Sequence, residues 1–135
     1  VIKMALVVPD VGEVLLLKRA LNHTAPDDVK VHLYSNDYTP VEGSVIGSFT
    51  ESDCAGYAAE ELTGASWTVA TVTGVTTATY AQLTFNLTGG KTHYGYYVTD
   101  NAGTGLLWAE RFSDAPHVIP SGGGTEKVTV NLIGE

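Results

Sequence analysis

HYGYYVTDNAGTGLLWAERF, residues 93–112, decides the fold. Side chains of an extended chain point alternately to opposite faces, so Tyr94, Tyr96 and Val98 share one face and Gly95, Tyr97 and Thr99 the other. NAGTG, residues 101–105, supplies turn residues, after which Leu106, Trp108 and Glu110 alternate with Leu107, Ala109 and Arg111. The stretch reads as a β-hairpin with aromatics on both sides. A platform for stacking sugar rings needs several exposed rings on one side, whereas two-sided placement suits a hairpin packed inside a core. Tyr94, Tyr96, Trp108 and Phe112 are therefore the expected structural residues of the hairpin.

Outward from this hairpin, the same period of two recurs. VKVHLYS (residues 29–35) sets Val29, Val31 and Leu33 against Lys30, His32 and Tyr34, and SWTVATV (66–72) puts Trp67 and Val69 on one face. TYAQLTFNL (79–87) alternates Ala81, Leu83, Phe85 and Leu87 with polar neighbours, and KVTVNLI (127–133) repeats the pattern with Val128, Val130 and Leu132. A further strand is expected within Tyr57–Leu62, and Gly89-Gly90 and SGGG (121–124) mark turns.

The N-terminal part differs. PDVGEVLLLKRALN (9–22) predicts a helix over about residues 10–22, with Asp10 as cap, Glu13 completing a capping box and Lys18 and Arg19 near the C-terminal end. Its expected apolar face is Val11, Val14, Leu15 and Leu21. Leu16 and Leu17 widen that face, so the helix either packs deeply on a sheet or meets a second subunit. The prediction is a mainly β chain: an antiparallel β-sandwich or small barrel of about six to seven strands with one N-terminal helix. Residues 1–135 form a single β domain without internal repeat or linker.

Composition narrows the function classes. Fifteen acidic against seven basic residues give a net charge of −8, which repels a phosphate backbone, so nucleic acid is not an expected partner. The single cysteine, Cys54, cannot form an internal disulfide and reads as a small buried side chain. The opening VIKMALVV is too short to span a bilayer and lacks a cleavage pattern, so no membrane association is expected, and Met4 is the expected initiator.

His23, His32, His93 and His117 show no metal-ligand spacing and read as surface or loop residues. Ser113, Asp114 and His117 bear the names of a hydrolase triad, but three residues so close in sequence rarely converge, and no nucleophile elbow accompanies them. SGGGT (121–125) lacks the lysine and the helix of a phosphate loop, and Asp27, Asp28 and Asp53 lack the ligand ladder of a calcium loop. The expectation is a protein that is not an enzyme, with no catalytic residue, no metal and no cofactor.

The chain also resembles a known group. MALVVPDVGEVLLLKRALN, LYSNDYTP, TESDCAGYAAEELTGASWT and YGYYVTDNAGTGLLWAERFSDAPHVIPSGGGTEKVTV are similar, in order, to small virion structural proteins of tailed bacteriophages. The motifs that carry the likeness are PDxGE at Pro9–Glu13, GYAxxxLTGASW within Gly56–Trp67, and LLWAERFxDxP at Leu106–Pro116. The resemblance implies a non-enzymatic virion component assembled in the host cytoplasm, foremost a capsid decoration or cement protein. The alternatives are a tail, baseplate or fibre component, or a glycan-binding receptor-recognition module. Expected partners are the major capsid protein or another virion protein, together with further copies of the chain as a homo-oligomer. Leu6, Val7, Val8, Leu16 and Leu17 are the expected interface.

Overall fold

The computed structural model describes residues 6–134; Met4 and the start of the apolar opening lie outside the described residues. The elements are one helix, α1 (Asp10–Ala20), and strands β1 (Val29–Tyr34), β2 (Glu60–Leu62), β3 (Trp67–Val72), β4 (Val75–Tyr80), β5 (Leu83–Leu87), β6 (Lys91–His93), β7 (Gly95–Asp100), β8 (Leu106–Arg111), β9 (His117–Ile119), β10 (Gly124–Val128) and β11 (Asn131–Gly134). All the strand pairs are antiparallel. The sheets run β2-β1-β7-β8, β11-β4-β3, β10-β5 and β6-β9. The protein is mainly β with one N-terminal helix, arranged like a sandwich; no barrel closes among the described residues.

The eleven described strands outnumber the expected six or seven because two long alternating runs each bend into two strands and because the three-residue β6 and β9 were not expected. TYAQLTFNL breaks at Ala81-Gln82 into β4 and β5, and KVTVNLI breaks at Thr129-Val130 into β10 and β11. The two runs bend together: β5 pairs with β10 on one side of the corner and β4 with β11 on the other. Tyr80 N–H donates to Val130 O (3.0 Å) across the bend. Strands that switch sheets at such corners let one chain cover two sides of a core.

The hairpin β7-β8 lies within the largest sheet and is covered on both sides. Tyr96, Val98, Leu107 and Trp108 enter a core with Val31, Leu33, Leu62, Phe85 and Val130. Tyr97, Leu106 and Ala109 enter a second cluster with Tyr34 and Phe49. A register shift between Val98 and Thr99 pairs Val98 with Trp108 but Thr99 with Leu106. Leu107 is the extra residue of this bulge, so Leu106 and Trp108, expected on one face, serve different clusters.

α1 is shorter than expected and seated differently. It ends at Ala20; Leu21 is its C-terminal cap and Asn22 takes a left-handed φ of 56°. Asp10 is the first helical residue and not the cap. The cap is the buried Pro9, whose carbonyl accepts N–H from Gly12 (2.8 Å) and Glu13 (2.9 Å), while Asp10 N–H donates to Glu42 O (3.0 Å). No side chain caps this end, so the anticipated capping box does not form. The one fully buried helix residue is Gly12, which rides directly on the Leu107 backbone of β8. Leu15 and Leu16 pack beside it against the core. A glycine at the crossing brings helix and strand backbones together and leaves the bulkier residues on the outer side.

Candidate functional site

The anticipated apolar face of α1 is turned largely to solvent. Val11 is 42% exposed, Val14 51%, Leu17 62% and Leu21 78%. These residues, spaced three, three and four apart, make one stripe, because positions three and four apart on a helix stack above one another. Beside the stripe runs an apolar groove of about 520 Å³, walled by Val11, Val14 and Leu15 on one side and by Val45, Ile46 and Leu106 on the other. Helix packing therefore uses the Gly12 side, and the residues that looked core-directed in sequence form an uncovered surface.

The other expected interface residues are mostly occupied within the chain. Val7 bridges Ala109 at the free edge of β8, with Val7 N–H donating to Ala109 O and Ala109 N–H to Val7 O, each 2.9 Å. Leu6, Val8 and Leu16 are half-buried against the core, and only Leu17 stands largely free. The segment Leu6–Val8 thus covers the edge of its own sheet through Val7.

Nor do the hairpin aromatics offer an open stacking face. Tyr96 and Trp108 are buried. Phe112 lies flat against His117, centroids 4.4 Å apart, and the Arg111 guanidinium covers the Tyr94 ring at 5.1 Å. Burial also pushes the hydroxyls of Tyr34, Tyr57, Tyr96 and Tyr97 well above their ordinary pKa, so they remain protonated donors; Tyr96 donates to Glu110 Oε2 (2.7 Å).

The histidines correct the sequence reading most sharply. His32 and His93 are buried, His117 is half-buried and only His23 is exposed. His32 shares hydrogen bonds of 2.8 Å with Glu51 and with Thr99 and stacks on Tyr97 at 4.7 Å. His93 Nε2 shares a 2.8 Å hydrogen bond with Ser52 Oγ, and its Nδ1 faces Glu126 Oε2 at 3.8 Å. Glu126 Oε1 meets His117 Nδ1 at 2.7 Å, and His117 Nε2 meets Asp114 Oδ1 at 2.6 Å. Hydrogen bonding to His117 lowers the Asp114 pKa. For His117, burial acts to lower the pKa, but hydrogen bonds to Asp114 and Glu126 outweigh it and raise it.

Ser52, His93 and Glu126 therefore follow the order of a nucleophile, base and orienting acid, which the sequence reading missed. Chemically the arrangement is closed. All three are buried, Ser52 Oγ is further engaged by Cys54 N–H (3.3 Å), and none lines the recesses described around the protein. Of Ser113, Asp114 and His117, which the sequence reading set aside as a triad, Asp114 and His117 do meet, but Ser113 makes no hydrogen bond to His117. The arrangement ties β6, β9 and β10 to the Ser52 loop through the Ser52–His93 and Glu126–His117 hydrogen bonds, while the buried His93 Nδ1 and Glu126 Oε2 face each other with no hydrogen-bond partner. Asp53 pairs with Lys91, and Asp28 Oδ1 accepts Gly64 N–H (2.8 Å), so these carboxylates hold loops.

Among the described residues, no cluster of three histidine, cysteine or acidic side chains is arranged to hold a metal ion, and no helix is long and apolar enough to cross a membrane. No protein-family model matches the chain, and comparison with characterised proteins finds no match.

Proposed function

We propose that this chain is a non-enzymatic virion structural protein of a tailed bacteriophage, a decoration or cement protein that binds the capsid shell. The observation that carries the reading is the uncovered stripe Val11, Val14, Leu17 and Leu21 beside the apolar groove. An exposed apolar surface of this kind is suited to contact with another protein. The phage-like motifs support the same reading because they meet as joints of one scaffold: Gly12 sits on Leu107, and Trp67 packs edgewise on Trp108 at 6.1 Å. Many identical weak contacts on a lattice hold such a protein through avidity without a large interface per copy.

The test is binding to undecorated shells by the parent chain and by a Val14→Glu, Leu17→Glu variant, with labelled protein imaged on purified particles. The expected outcome is label over the shell and loss of binding in the folded variant. Label confined to the tail or fibres would replace the shell assignment by the tail alternative.

A further inference from the structure

The ribbon β3-β4 differs from the rest of the chain in carrying no charged side chain. No Asp, Glu, Lys or Arg occurs between Glu61 and Lys91, in a protein of net charge −8. Within that interval β3 is the edge of its sheet, and every residue after Trp67 is exposed, Val69 at 67% and Val72 at 68%. Edge strands are ordinarily protected against pairing by lysine, proline, a bulge or a covering loop. β3 has no lysine or proline, and its register with β4 runs unbroken from Trp67↔Tyr80 to Val72↔Val75.

The ladder defines which backbone groups are open. Thr73 (φ 49°) and Gly74 (φ 83°) form a two-residue turn of the kind closed by a hydrogen-bonded pair, here Val72 and Val75. Hydrogen-bonded and non-hydrogen-bonded pairs alternate along an antiparallel ladder. Thr68, Ala70 and Val72 therefore bond to β4, and the N–H and C=O of Val69 and Thr71 point outward. The N–H of Trp67 is already given to Gly64 O, so the residues with both N–H and C=O open are Val69 and Thr71.

We propose that β3 pairs antiparallel with β3 of a second copy of this chain, about a two-fold axis at Ala70. In that register Val69 faces Thr71 of the other copy and Thr71 faces its Val69, so the open groups of both residues are satisfied in both copies. Ala70 faces Ala70 at the closely spaced, non-hydrogen-bonded position, where its small side chain permits the approach. A second copy fits this edge for two reasons. The pattern is its own complement under a two-fold axis, as an isologous contact requires. Two chains of charge −8 repel, and the charge-free ribbon is where that repulsion is weakest. The pairing joins two three-stranded sheets into one continuous sheet and does not depend on the capsid assignment, since it forms in solution.

Sedimentation of the full chain, with cysteine trapping, tests the pairing. The parent chain is expected to show a monomer–dimer equilibrium. Ala70→Cys should become a covalent dimer under mild oxidation, because Cα atoms at such a position lie about 4.5 Å apart, within disulfide reach. Val72→Cys should not, because its mate is Thr68 of the other copy; the native Cys54 is buried and serves as the uncross-linked background. Thr71→Pro removes an outward N–H while leaving the β3-β4 ladder intact, and should be monomeric with an unchanged circular dichroism spectrum. A parent chain that stays monomeric at all concentrations, open-ended filaments instead of dimers, or equal cross-linking at positions 70 and 72 would each overturn the proposal.

Discussion

Gly12→Ala is a substitution whose sign separates two accounts of α1. On helix propensity alone, alanine in place of glycine inside a helix stabilises it by about 1 kcal/mol. The packing predicts the reverse. A Cβ at position 12 would stand 2.8 Å from the Leu107 carbonyl carbon and closer still to its oxygen, against an optimal non-bonded separation of roughly 3.5–4.0 Å. Backbone cannot rotate aside as a long side chain can, so the helix must lift from β8 and loosen Leu15 and Leu16 beside it. Overpacking of this kind costs about 1–3 kcal/mol, and the clash with backbone puts this site at the upper end, leaving a net loss of about 1–2 kcal/mol. For a chain of this length that lowers Tm by roughly 3–10 °C. Thermal unfolding followed by circular dichroism is the assay, with Val14→Ala as a control at an exposed position of the same helix. An unchanged or raised Tm in Gly12→Ala would show that α1 is not seated on Leu107.

Trp108→Ala should cost about 3–5 kcal/mol through lost burial and the cavity left behind, measured as a lowered urea midpoint; an unchanged midpoint would mean the indole is not in the core. Val14→Glu and Leu17→Glu, at exposed positions, should each stay within about 0.5 kcal/mol of the parent in the same assay, so a loss of shell binding could not be attributed to unfolding. The Asp114–His117 contact should make stability depend on pH. The raised His117 pKa contributes stability that is full below about pH 6.5 and is lost as pH rises through the folded value, whereas the lowered Asp114 pKa contributes above about pH 3.9 and is lost in stronger acid. His117→Gln should therefore flatten the decline in stability above about pH 6.5, and an identical slope in urea titrations would refute that role.

Much of the fold was legible because alternation such as that over Leu83–Leu87, where Phe85 and Leu87 are buried and Thr84 and Asn86 exposed, is a local property of a strand with one buried face. The bends at Ala81-Gln82 and Thr129-Val130 were not, because a strand that turns a corner keeps its alternation while it changes partners. Nor was the bulge at Leu107, where one extra residue shifts the faces and only the pairing with β7 reveals it. The stripe on α1 was visible as a pattern, but periodicity gives the residues of a face without saying whether that face is covered. Its direction is set by Gly12, which in sequence reads only as a weakness in a helix.

The histidines mark the furthest reach of the same limit. Ser52, His93, Glu126 and His117 come from different parts of the chain, and what joins them is the pairing of β6 with β9, which sets His93 directly across from His117, and the course of β10, which brings Glu126 between them. No spacing in the sequence encodes that meeting. Burial then decides its meaning: an exposed serine next to such a histidine would invite a nucleophilic reading, but here the hydroxyl is enclosed and engaged by Cys54 N–H. The chemistry of a polar cluster follows from whether a substrate can reach it. By that measure, among the described residues the apolar stripe of α1 and the uncharged edge of β3 are open to contact, whereas Ser52, His93 and Glu126 are enclosed.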